Sequence, residues 1–194
     1  MGFLTAGLLI FLGVHSSRIF FADLKRKMVA GFGPLAWKGL YATVSAIGLV
    51  LIVIGYGEAR MSPVWLWYPP MWMNHVTMLL MLFSFIFLAA TYIPGNRLKA
   101  KVGHPMLIAV KLWAFAHLLS NPTTADLLLF GLFLVWAVSL FRLSRREDRE
   151  AGTTYPSVGI VRDLVVLVVG VGAYGAFAMY LHKVLIGVSP LPVV

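Results

Sequence analysis

The chain has 194 residues, 60% of them hydrophobic and only 12% charged, with a mean hydropathy of +0.89, values outside the range of soluble domains. The hydrophobic excess runs along the whole chain in blocks of about twenty residues, the length a helix needs to cross hydrocarbon, which excludes a soluble enzyme, a disordered chain and a β-barrel. The net charge of +9 comes from basic residues between the apolar blocks, read as topology signals rather than nucleic-acid contacts, and the lack of cysteine removes disulfides, thiolate metal sites and covalent c-type haem attachment.

The first apolar block covers about residues 2–22 and has neither a basic stretch ahead of it nor a cleavage site, so a retained helix is expected. It carries His15, Ser16 and Arg18 near its end, and Lys25, Arg26 and Lys27 follow. A second block, about 37–57, leads through Arg60 to Trp65, Trp67, Tyr68 and Trp72, an aromatic belt of the kind found at a membrane interface. The third, about 72–93, begins beside Met71, Met73 and His75 and is followed by Arg97, Lys99 and Lys101. Asn121 and Pro122 separate the fourth and fifth blocks, about 104–120 and 123–143, into a tight hairpin. Arg145, Arg146 and Arg149 then open the longest polar stretch, 144–163, which is expected to be a mobile loop. In the sixth block, about 164–187, Gly170, Gly172 and Gly175 spell G-x-G-x-x-G inside an apolar helix; without a preceding strand this is no dinucleotide site, and Gly172 with Ala176 reads as a close helix contact.

The sequence therefore predicts an all-α, polytopic membrane bundle of about six transmembrane helices forming a single domain over 1–194. Basic residues crowd every second connection, so the positive-inside bias puts both termini outside and the three basic loops in the cytoplasm of an inner-membrane protein whose first partner is the lipid bilayer.

Five histidines, His15, His75, His104, His117 and His182, fall within or at the ends of these spans, where an ionisable side chain usually faces a cavity or a partner. Taken singly, each is more often a packing or interfacial residue than a ligand; their number in a short chain with few buried acids raises the case for haem ligation. By depth, His15 and His104 belong to the cytoplasmic half and His75, His117 and His182 to the outer half. Lys111 lies nearly above His104 on the fourth span, and suits either an anionic partner, such as a propionate or substrate carboxylate, or snorkelling and a pair with Asp126. Met71, Met73 and His75 offer soft ligands suited to Cu(I), although methionine on an apolar span mostly packs. No hydrolase, metalloprotease or nucleotide motif is present, and no catalytic residue is assigned.

Read together, His15-Ser16 with Arg18, Gly103-His104-Pro105, Lys111-Leu112-Trp113 and Ala116 to Asn121 resemble the NnrU family, multi-pass bacterial membrane proteins named for a link to nitric oxide and nitrite reduction. The same residues are similar to those of a distant relative, the 15-cis-zeta-carotene isomerase, which binds haem b: its H-S, H-P and W-x-x-x-H motifs match His15-Ser16, His104-Pro105 and Trp113 with His117. Ala114 stands where that isomerase has a cysteine. The resemblance implies haem b held by His15 and His117 between spans one and four, with Lys111 near a propionate. Because the two ligands differ in expected depth, their haem would be tilted; His15 with His104, or His75 with His117, would suit an upright one. The implied role is redox, isomerase-like or related to nitrogen oxides, acting on a hydrophobic or small-molecule substrate. The alternative is a membrane transporter, or an assembly factor for a respiratory membrane complex, without haem.

Overall fold

The computed structural model describes residues 1–17 and 22–191, and these are overwhelmingly helical. In chain order they form α1 (Gly2–His15), α2 (Ala22–Met61), α3 (Trp72–Tyr92), α4 (Arg97–Val102), α5 (Pro105–Ser120), α6 (Thr124–Ala151), α7 (Ile160–Ala176), a π-helical turn (Phe177–Leu181) and α8 (His182–Ile186). The all-α membrane architecture stands, but among the described residues four helices rather than about six are long and apolar enough to cross a membrane: α2, α3, α6 and the run Ile160–Ile186. In the first expected span, whose residues 18–21 lie outside the described ones, α1 has 14 residues, and in the fourth α5 has 16. At 1.5 Å per residue they reach about 21 and 24 Å, short of a hydrocarbon core of about 30 Å.

Local chemistry explains the shortening. At the cap of α1 the Ser16 amide is shared between the Leu12 and Gly13 carbonyls, at 2.9 and 3.1 Å, which tightens the last turn, and its hydroxyl also takes the Leu12 carbonyl at 2.7 Å. Gly103, at φ 75°, and Pro105 fence the start of α5, and Asn121-Pro122 fence its end. In α2 the opposite happens. The helix begins fifteen residues earlier than the apolar block, so Lys25, Arg26 and Lys27 lie on a helix, with Arg26 paired to Asp23. Gly33, at φ 83° and ψ 164°, breaks this helix, and Pro34 opens the part that follows.

The helices sort into two compact units, 1–67 with 123–132, and 68–122 with 133–194. In the first, α1 lies antiparallel on α2 with backbones nearly touching. A Cβ on Gly7 would stand 2.6 Å from the Ile52 nitrogen, one on Gly48 would stand 2.8 Å from the Phe11 nitrogen, and one on Gly55 would strike the Leu4 backbone. Each step of three or four residues along α1 thus meets an equal step back along α2, with Leu4 and Leu8 fully buried. Tyr56 of α2 donates to Asp126 at 2.5 Å, and Asp126 also receives the Thr123 amide and hydroxyl, at 3.0 and 2.6 Å. This ties α2 to the first turn of α6, beside the bridge between Trp65 and Thr123.

In the second unit α3 packs against both α5 and α7. Hydroxyl bonds stitch α3 to α5: Ser84 donates to the Ala109 carbonyl at 2.8 Å and Thr77 to the Ala116 carbonyl at 2.9 Å. Towards α7, Ala89, Ala90 and Val166 form the core, and a Cβ on Gly170 would stand 2.7 Å from the Ile86 Cα. The close contact is therefore at Gly170. Gly172, expected to make it, has nothing within 4 Å among the described residues, because the face that meets α3 passes through Val166 and Gly170, four apart. Beyond α7 the π-helical turn brings His182 edge-on to Phe177, with ring centres 5.8 Å apart.

Candidate functional site

His15 occupies the last turn of α1, at the next step of the register that pairs Phe11 with Gly48. Its ring stacks on Phe11, centres 4.1 Å apart, and meets Tyr41 of α2 at 5.3 Å. Its Nδ1 lies 2.7 Å from the Phe11 carbonyl oxygen. A carbonyl only accepts, so Nδ1 carries the proton and the lone pair is on Nε2. An apolar groove lined by Gly13, Val14, Trp37, Leu40, Tyr41 and Val44 flanks the residue within the first unit.

His117 repeats this arrangement in the second unit. It sits in the last turn of α5, where its Nδ1 donates to the Trp113 carbonyl at 2.8 Å, again leaving the lone pair on Nε2. The Trp113 ring packs on it at 5.6 Å and meets Phe133 of α6 edge-on at 5.3 Å. A ring N–H fixed on a carbonyl, with the other nitrogen carrying the lone pair, is the state required of a metal-bound imidazole. Both residues fit axial ligation of haem iron in this respect.

His104 differs in the nitrogen used and in having a side-chain partner. At the N-cap of α5, its Nε2 faces Asp148 Oδ2 of α6 at 2.9 Å. Asp148 also accepts from the Tyr155 hydroxyl, at 3.1 and 3.3 Å to its two oxygens, and pairs with Arg145 at 3.5 Å. The cluster closes on Gly103, where a Cβ would stand 2.8 Å from an Arg145 nitrogen and 3.1 Å from Asp148. The segment 144–163, expected as a mobile loop, is thereby held. Its first half continues α6, Tyr155 is bound at the cluster, Val158 donates its amide to the Gly95 carbonyl at 2.9 Å, and Asp163 receives the Arg97 amide at 2.7 Å. Its polar residues signalled a loop, but they are the groups that fasten it.

Along α5, His104 and His117 stand about 20 Å apart at opposite ends, so the structure does not bring them together. Lys111 lies between, its ammonium 3.7 Å from the centre of the Phe141 ring. The Asp126 carboxylate, its expected alternative partner, is engaged by Tyr56 and Thr123. His75 is exposed near the start of α3. There the helix turns Met73 and His75 about 200° apart, so the M-x-M-x-H residues do not converge as they would on a strand. His182 donates Nδ1 to the Val188 carbonyl at 2.6 Å. Arg18 lies outside the described residues. Among the described residues no group of three or more His, Asp or Glu side chains is placed to hold a metal ion.

The family model described as NnrU protein matches residues 3–190, nearly the whole chain. The chain belongs to the NnrU family. No curated protein and no solved structure matches it. This NnrU protein is thus a multi-pass membrane protein, and the matched region includes His15, His104, Lys111 and His117. Sequence reasoning missed Asp148 and Tyr155; a signal was available in Asp148, an acid among four arginines beyond an apolar span, where a nearby cation or imidazole is the natural partner.

Proposed function

We propose that this NnrU protein binds a b-type haem in the inner membrane through His15 and His117, with Lys111 near a propionate. Its role is redox, isomerase-like or related to nitrogen oxides. The observation that carries the reading is the matched pair of Nδ1 bonds, Phe11 to His15 and Trp113 to His117, each to the carbonyl four residues back. Both present Nε2 as the ligating nitrogen. The pairing of these two residues comes from the resemblance to the carotene isomerase, and so does the identity of the cofactor. Bound haem would supply one-electron chemistry, while Phe11, Tyr41, Trp113 and Phe133 orient the imidazoles and keep them in apolar surroundings. With Ala114 in place of the isomerase's cysteine, exchange of a thiolate for the second ligand has no residue to perform it. The orientation that accompanies this reading has the basic connections in the cytoplasm and both termini outside.

The test is the absorption spectrum of detergent-purified protein after haem-replete expression, oxidised and dithionite-reduced. A Soret band is expected that is lost in His15→Ala and in His117→Ala and kept in His104→Ala and His75→Ala. A colourless wild type ends the haem reading and leaves the transporter or assembly role. A band that depends on a different pair of histidines refutes the ligand assignment alone.

A further inference from the structure

Phe141 of α6 carries the Lys111 ammonium on its face and is followed in the chain by the exposed Arg142, close enough for the two positive charges to repel. Among the described residues no acid pairs with either. The acids of α6 near this point are engaged: Asp148 with His104, Tyr155 and Arg145, Glu150 with Arg146, and Glu147 in an interaction of its own. An aromatic face returns to an ammonium only a fraction of what the charge loses on leaving water.

The level of the pair can be read from the hairpin. His104 meets Asp148 and Lys111 meets Phe141, so seven residues along α5 answer seven back along α6. Lys111 is about 9 Å from the start of α5, and Arg142 about 14 Å from the end of α6. With the basic connections taken as the headgroup level, the two charges lie about one and a half to two and a half helical turns from it, a distance over which long cationic stems reach outward. Basic pockets between helices at this level attract the phosphate groups of anionic lipids.

We propose that Lys111 and Arg142 form a binding site for an oxyanion, a phosphate or a carboxylate, seated against Phe141. Two sources present such a group at this level: the headgroup of an anionic lipid, and a haem propionate. The lipid source is independent of the haem reading, whereas the propionate source rests on it and adds Arg142 to Lys111.

The experiment compares wild-type protein with Lys111→Gln, Arg142→Gln and the double variant, with Lys111→Arg as the charge-keeping control. Retention of dioleoylphosphatidylglycerol against dioleoylphosphatidylcholine is read by native mass spectrometry, and haem by its Soret spectrum and by reconstitution with haem or haem dimethyl ester, which lacks both carboxylates. If the source is lipid, phosphatidylglycerol binding falls about fivefold for each charge removed, phosphatidylcholine is unaffected and Lys111→Arg behaves as wild type. If it is the propionate, lipid binding stays level while haem retention falls in the glutamine variants and wild type prefers haem to its ester. Glutamine variants that change neither readout overturn the proposal. So does a wild type that shows neither a phosphatidylglycerol preference nor a preference for haem over its ester, a result needing no variant to fold. A colourless wild type whose lipid binding still depends on Lys111 and Arg142 refutes the haem reading and keeps the site. Haem lost on substituting His15 or His117, with both readouts indifferent to Lys111 and Arg142, refutes the site alone.

Discussion

The Asp148 carboxylate receives an imidazole, a phenol and a guanidinium while only 11% of its side chain is exposed, so removing a donor leaves acceptor capacity with little water to fill it. His104→Ala is expected to cost about 1–3 kcal/mol, and Tyr155→Phe about 1 kcal/mol, read as lower Tm in detergent. Both should quicken proteolytic cleavage within 152–159, since Tyr155 holds that segment. Unchanged Tm and cleavage rates would show that the cluster does not fasten it. His104 stood out in the sequence as one of five histidines at the spans and as part of the Gly103-His104-Pro105 stretch. Its partner did not, being forty-four residues away, and no periodicity within one helix reports on a neighbour's side chain. The sequence could thus nominate His104 without deciding whether Nε2 faces a metal or a carboxylate.

Among the helices, small residues set how closely neighbours approach. Gly55→Leu should force α1 from α2 and lower Tm by an amount equivalent to about 1–3 kcal/mol, with Gly170→Leu doing the same between α3 and α7. Gly172→Leu should leave Tm within about 0.5 kcal/mol of wild type, because its Cβ enters open space. Equal losses at 170 and 172 would contradict this packing. Apolar composition located the last helix, but a run in which nearly every residue is apolar carries no stripe to tell which glycine turns inward. Helix ends were equally hidden: hydropathy does not change at Ser16, whereas α1 ends at His15. Polar residues at 22–36, which lowered the hydropathy, did not prevent a helix from forming there.

For the whole molecule, composition sufficed to establish a multi-pass helical membrane protein, and counting apolar blocks overstated the full-length spans. Replacing six full-length spans by four preserves the parity of the count. An even count places the two termini on one side without saying which; in the orientation proposed above, with both outside, alkaline phosphatase fused after residue 194 should be active in the bacterial periplasm while green fluorescent protein fused there should be dark. The reverse pattern would invert the assignment of the basic connections. Where the two compact units divide α6 was invisible in the sequence, because residues 124–151 form one uninterrupted helix whose partners change along its length.

The π-helical turn at Phe177–Leu181 acts as a phase shift in the last helix. A π turn accommodates one residue more than an α turn, so everything beyond it is rotated by about 100° relative to a continuous helix. His182 and Lys183 therefore answer to a different angular origin from Val166 and Gly170. Deleting Ala178 removes the residue that the π turn takes up, so it should restore α geometry, leave the contact of Gly170 with Ile86 intact and keep His182 beside Phe177, then four residues apart on one face; the end of the chain keeps its aim in a shorter helix.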